Sequence, residues 1–276
     1  MFWTSSEFMI KNTTPAPSNR RDVFDGVEPA VRERTKKMLM YFIIFAVVML
    51  FAGFTSAYIV SNMGQYWVNI EPTSAFWVSN VLLVLSSIGL WSAVRSMREN
   101  HKQRAVLALA FTLISGIGFT ISQAEGWKTL AEMGLGWTTT DHESGLEAYR
   151  WNSIESLLES DAIYGQDYTI SRGGEPLLFD ASKNEFYASN DALMVRPITR
   201  DVARTSNSGA SYLWILIAVH ILHLTFGFIY LVINGIRVVQ GTIHAKDVVQ
   251  LESLSIYWHF MGALWLYLFV FLFFLH

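Results

Sequence analysis

Five stretches of this chain, each about 20 residues long and almost free of charge, can be solvated only by lipid or by one another. Four of them are Met38 to Ser61, Ala75 to Val94, Tyr212 to Ile236 and Leu254 to Leu275. A fifth, Ala105 to Glu125, is apolar until its final residues. A hydrocarbon layer of ~30 Å is crossed by about 20 helical residues. The apolar residues run all around each helix, without the period-2 alternation of an outer-membrane barrel strand. Backbone hydrogen bonds must therefore close within each segment. The expected fold is an all-α integral membrane protein with five transmembrane helices.

Bulk properties agree and close other routes. Of the 276 residues, 52% are hydrophobic and only 16% charged. A net charge of -3, with no basic stripe outside the loops that border spans, argues against a nucleic-acid partner. With no cysteine the chain can hold no disulfide and no thiolate nucleophile. Cysteine-ligated zinc, iron-sulfur and binuclear copper centres are excluded with them.

Lys11, Arg20, Arg21, Arg32, Arg34, Lys36 and Lys37 precede the first span, while the connection from Asn62 to Ser74 has no Lys or Arg. Arg95, Arg98, Lys102 and Arg104 crowd the next connection, and Arg237 and Lys246 mark the one before the last span. This alternation places the N-terminus in the cytoplasm and the C-terminus outside. The polar residues 1–37, with Pro15 and Pro17, read as a cytoplasmic segment ahead of an uncleaved first anchor. Helices one to three then occupy 38–125, an insertion 126–211, and helices four and five 212–276.

The insertion is expected outside the cytoplasm, since long segments translocate largely regardless of charge. Tyr168-Thr169-Ile170, Leu177-Leu178-Phe179 and Glu185-Phe186-Tyr187 predict short strands, and Leu146 to Leu158 an amphipathic helix. It is either a packed lid over the helix ends or a partner-docking module. Trp67, Trp77, Trp127, Trp137, Trp214 and Tyr257 fall near span ends, where most are expected to anchor at headgroup level.

Polar groups within the spans are costly and must face protein. His220, His223, Gly227, Tyr230 and Asn234 follow steps of three and four and form one stripe on the fourth span. Ser115, Gly118, Ser122 and Glu125 do likewise on the third, with Gln123 on another face. Glu252 and His259 share a side of the last helix, ~10 Å apart along its axis. Three chemistries compete for these groups. They could ligate haem through histidines, relay protons through Glu125, His220, His223, Glu252 and His259, or hydrogen-bond between helices and hold lipid headgroups. Inter-helix contact is preferred, because only His259 lies on another span opposite His220 and His223, and no carboxylate stands between Glu125 and Glu252. One specific expectation is that Glu125 pairs with His220.

The last span, with Glu252 and then Tyr257-Trp258-His259-Phe260 and Trp265-Leu266-Tyr267, resembles the signature of cytochrome c oxidase subunit III, an accessory subunit of haem-copper oxygen reductases. Val219-His220-Ile221-Leu222-His223 with Gly227 resembles the His-x-x-His-x-x-x-Gly motif of that family. Gln123-Ala124-Glu125 and Gly53 to Tyr58 resemble two further segments, in the family's order. There are departures. The first two of seven helices found in many members are lacking, as in the related quinol oxidase subunit. Val47 stands where many members carry a membrane-embedded glutamate, Gly262 stands where an aspartate is usual, and the outer connection is much longer.

The resemblance implies a non-catalytic subunit without a redox centre of its own, in a bacterial cytoplasmic membrane. It would pack beside subunits I and II, which carry haem and copper, and support oxygen reduction and proton pumping. It implies bound phospholipid, and Glu125, His220, His223, Glu252, Trp258 and His259 are the residues expected in lipid or inter-helix contacts. The insertion could meet a cytochrome c or another respiratory complex. A quinol oxidase subunit, a nitric oxide reductase accessory subunit and, in a different class, a small membrane transporter are the alternatives.

Overall fold

The structure is a computed structural model that describes residues 29–62, 65–135, 154–158, 160–205, 208–243 and 248–274. Its helices α1 (Pro29–Asn62), α2 (Ser74–Arg98), α3 (Lys102–Leu130), α6 (Ser208–Gln240) and α7 (Val249–Phe274) are each long and apolar enough to cross a membrane. The protein is a multi-pass membrane protein. Between α1 and α2 lies strand β1 (Tyr66–Ile70). A π-helical turn, Ala131–Leu135, continues α3. The segment before α6 contains α4 (Glu155–Leu158), β2 (Tyr168–Arg172), β3 (Glu175–Pro176), β4 (Leu178–Asp180), β5 (Glu185–Tyr187) and α5 (Thr199–Ala203).

The helices outrun the apolar windows because a hydrogen-bonded ladder ends where its caps do, not where lipid does. α2 and α3 form an antiparallel hairpin, the most extensive helix pair, turning at Asn100 in the left-handed region (φ 61). α6 stops at Gly241 (φ +75), where the Gly241 N–H donates to the Val238 carbonyl and the Thr242 N–H to that of Arg237. These are the paired bonds of a Schellman cap, which favours glycine. α7 packs against α1, α2 and α6. Over its most apolar window α7 is 61% buried, while α1 is only 17% buried, so α7 is the central helix and α1 lies outermost.

Beyond the end of the bundle where α1 stops, β1 joins β2 and β3 in an antiparallel sheet, with Trp67 opposite Ser171 and Val68 opposite Ile170. β4 and β5 form a second hairpin. The first packs on α6 and the second on α5. Ile154, Leu157, Ile170 and Val202 belong to one continuous core with Trp67, Phe76, Leu130 and Leu213.

The strands expected at Tyr168 and Glu185 are present, and the one expected at Leu177 starts a residue later. Of the helix expected over Leu146 to Leu158, residues 155–158 are helical and 146–153 lie outside the described residues, as do Trp137 and Lys246. Trp77 is exposed near the start of α2. Trp67 and Tyr257 are not anchors: Trp67 is 1% exposed beneath α6, donating its indole N–H to Tyr58 (3.1 Å), and Tyr257 turns into the α6 interface.

Candidate functional site: the polar seam around the last helix

The hydropathy of α7 is uniform around its axis, so polarity has to be located by its bonds. At the end where α7 begins, the Glu252 carboxylate reaches two other helices. Its Oε2 pairs with Lys37 Nζ of α1 at 2.9 Å, and its Oε1 with Arg98 Nη2 of α2 at 2.7 Å. Arg98 Nε adds a second hydrogen bond at 3.2 Å, and Lys37 also pairs with Glu33 at 2.9 Å. One carboxylate thus pins three helix ends. Nearby, Arg237 Nη1 donates to the Gln250 side chain (2.8 Å), and Lys102 Nζ to the Val239 carbonyl (2.9 Å).

One to two turns further into α7 the bonds change partner. The Tyr257 hydroxyl donates to the His223 carbonyl of α6 at 2.9 Å, and Trp258 Nε1 donates to Ser86 Oγ of α2 at 3.1 Å. Gly227 makes room for the first of these, since a Cβ there would stand 3.3 Å from the Tyr257 ring. Higher still, Trp265 Nε1 donates to Asn80 Oδ1 at 3.1 Å. α7 therefore binds its neighbours through indole, phenol and carboxylate groups, with aliphatic packing between.

The other expected residues divide. His223 and His259 are half-buried, and each Nδ1 donates within its own helix, to Val219 O at 2.7 Å and Ser255 O at 2.6 Å. A carbonyl can only accept, so Nδ1 carries a proton in each ring. His259 lines an open groove of about 370 Å3 between α2 and α7, with Trp91 and Leu266. A second apolar groove of about 380 Å3 runs between α3 and α6, from Leu113 to Gln240.

No protein-family model and no curated protein matches this chain. Function has to be argued from its own residues.

Glu125 and His220 are not brought together. Glu125 is exposed, and its carboxylate finds no ion-pair or hydrogen-bond partner among the described residues. His220 is buried, its ring tilted against that of Trp265 at 5.3 Å, with both ring nitrogens unpartnered. The stripe that Glu125 ends faces α2, where the Ser122 hydroxyl donates to the Ala75 carbonyl (2.7 Å). Sequence reasoning set Gln123 aside, yet it is 1% exposed and donates to Ser79 Oγ of α2 at 2.6 Å. Ser79, Asn80 and Ser86, which receive these side chains, were missed too. A serine or asparagine in an apolar span gives little signal until its partner helix is known.

Proposed function

We propose that this chain is subunit III of a haem-copper terminal oxidase of the cytochrome c oxidase type, a non-catalytic scaffold in a bacterial cytoplasmic membrane. It would support oxygen reduction and proton pumping by subunit I, which with subunit II carries the haem and copper. The observation that carries this reading is where the family-like residues lie. Glu252, Tyr257, Trp258 and Trp265 all spend their polar atoms on neighbouring helices, Lys37, His223, Ser86 and Asn80 being among the partners. A motif used this way fixes helix docking, which is the task of a scaffold. A transporter would be expected to carry discontinuous helices around a midplane site, whereas the five spans here run unbroken.

Two further parts of the reading are supported at the surface. The two apolar grooves are shaped for acyl chains, and one ends beside Lys102 and Gln240, so phospholipid is the proposed occupant. His259 would then meet lipid from the α2–α7 groove. The 126–211 segment is proposed to lie outside the cytoplasm. Its described part packs as a lid, but the turn from Asp191 to Arg196 also holds Leu193 (86% exposed) and Val195 (74% exposed) outward. The Asp191 carboxylate pins that turn by accepting the Val195 and Arg196 N–H groups at 3.0 and 2.8 Å, with Met194 at φ 51. A strained, braced turn showing two aliphatic groups favours contact with a partner such as subunit II, a cytochrome c or another respiratory complex.

Affinity purification of the tagged chain from its own membranes tests the assignment. Copper and a-type haem are expected to travel with it, together with oxygen consumption driven by cytochrome c. Activity with quinol alone would move it to the quinol oxidases, and a complex without copper to the nitric oxide reductases. Recovery as a self-sufficient monomer with transport activity would overturn the proposal.

A further inference from the structure

His220 is 2% exposed and neither ring nitrogen has a hydrogen-bond partner. A neutral imidazole carries one N–H and one lone pair, so a donor and an acceptor are both unmet. Buried polar groups in folded proteins are almost always satisfied, by protein or by an ordered water. The ring does not sit in solid packing. It borders a cavity of about 10 Å3 between α2, α3, α6 and α7, whose wall includes Ser86, Gly116, Trp258 and Gly262. That is about the space one water molecule needs, ~10–15 Å3 by the same measure.

A water also needs at least two polar partners, and the wall supplies a second. Ser86 Oγ is fully buried, accepts the Trp258 indole N–H at 3.1 Å and donates to the Leu83 carbonyl at 2.7 Å. A hydroxyl oxygen has two lone pairs, so one remains. The glycines keep the wall thin. A Cβ at Gly116 would press to 3.0 Å from the Phe228 ring, and Gly262 presents only backbone beside Leu83. Leu83 and Gly262 also line the open groove between α2 and α7, so cavity and groove share a wall there.

We propose that this cavity is a binding site for one resident water molecule, hydrogen-bonded to a ring nitrogen of His220 and donating to Ser86 Oγ. It joins α6 to α2, two helices that share no extensive packing face. The site goes beyond the subunit assignment and does not depend on it.

The full chain in its native assembly, determined at a resolution that shows other buried waters, tests the site directly. One peak within hydrogen-bond distance, about 2.6–3.2 Å, of both His220 and Ser86 Oγ is expected. An empty cavity, or a His220 ring bonded directly to a protein group, overturns the proposal. Solid-state NMR on 15N-histidine-labelled material gives an independent reading. The His220 ring signal, identified by its loss in His220→Gln, is expected to receive magnetisation from water. Its failure to do so also overturns the site. Should His220→Gln not assemble, the structure of the unaltered chain decides alone.

Discussion

At the scale of single residues, Glu252 is the side chain whose removal the geometry makes most informative. Its carboxylate is 20% exposed and shared between Lys37 and Arg98, whose side chains are 32% and 61% exposed. Both cations can turn to water once it is gone, so Glu252→Gln is expected to cost only about 1 kcal/mol in thermal unfolding of the detergent-solubilised protein. Because one carboxylate serves both, Glu252→Gln and Arg98→Gln should combine to less than the sum of their separate effects. Trp258→Phe probes the seam differently. It keeps an aromatic ring but gives up part of the buried indole along with its N–H donor, while Ser86 still has the Leu83 carbonyl. A loss of about 2 kcal/mol is expected, against about 3–5 kcal/mol for Trp258→Ala, which opens a larger cavity.

At the scale of elements, the α2–α3 hairpin depends on glycines that admit a neighbour's side chain. A Cβ at Gly89 would come within 2.7 Å of Thr112 Oγ1, and one at Gly126 within 2.8 Å of the Phe76 ring. Gly89→Ala and Gly126→Ala should each cost about 1–3 kcal/mol through overpacking. Gly53→Ala is the control, since nothing stands within 4 Å of it. Without a clash, alanine in a helix interior is expected to stabilise by up to about 1 kcal/mol. The same unfolding series reads all three.

The sheet at the bundle's end has its own signature. Burial beside Tyr164 and Asp167 pushes the Tyr168 phenol up to about 12, from an ordinary value near 10. The folded state holds that proton more tightly than the unfolded one. The corresponding stability is complete below about pH 10 and lost as pH rises through about 12. Tyrosinate absorbance should show a late-titrating step whose amplitude falls in Tyr168→Phe. Tyr187, raised to about 12 by its hydrogen bond to Glu185, contributes a second.

Elements differ in how far the sequence exposes them. The five spans were legible because lipid makes every apolar window a local decision, and the His223–Gly227 stripe because a helix repeats locally. β1 was not, although Tyr66-Trp67-Val68-Asn69-Ile70 is rich in aromatic and β-branched residues. It becomes a strand by pairing across the chain, with Asn69 donating to Ser171 Oγ 102 positions away, and nothing local announces that partner. The failed pairing of Glu125 with His220 has the same origin. The stripe along α3 was readable, but the helix it would face was not. A helix interface is wide enough to bury Gln123 along with the serine stripe.

At the scale of the whole molecule, lid and docking roles separate only if the lid's core is left intact. Deleting residues 140–205 removes Ile154, Leu157, Ile170 and Val202 from the core that holds Trp67, Phe76 and Leu213, and takes away the partner strand of β1. The deletion should therefore leave a protease-sensitive, aggregating product whether or not the segment meets a partner. Leu193→Asp with Val195→Asp changes only exposed side chains on the turn braced by Asp191. Unfolding temperature should stay within a few degrees of the parent, because exposed substitutions away from core and caps cost at most about 0.5 kcal/mol each. If the turn docks a partner, the doubly charged variant should migrate on a native gel without that partner while keeping its five helices and its lid. Unchanged migration would leave the segment as a cover over the bundle's end, held by the aromatic core around Trp67, Tyr58 and Phe271.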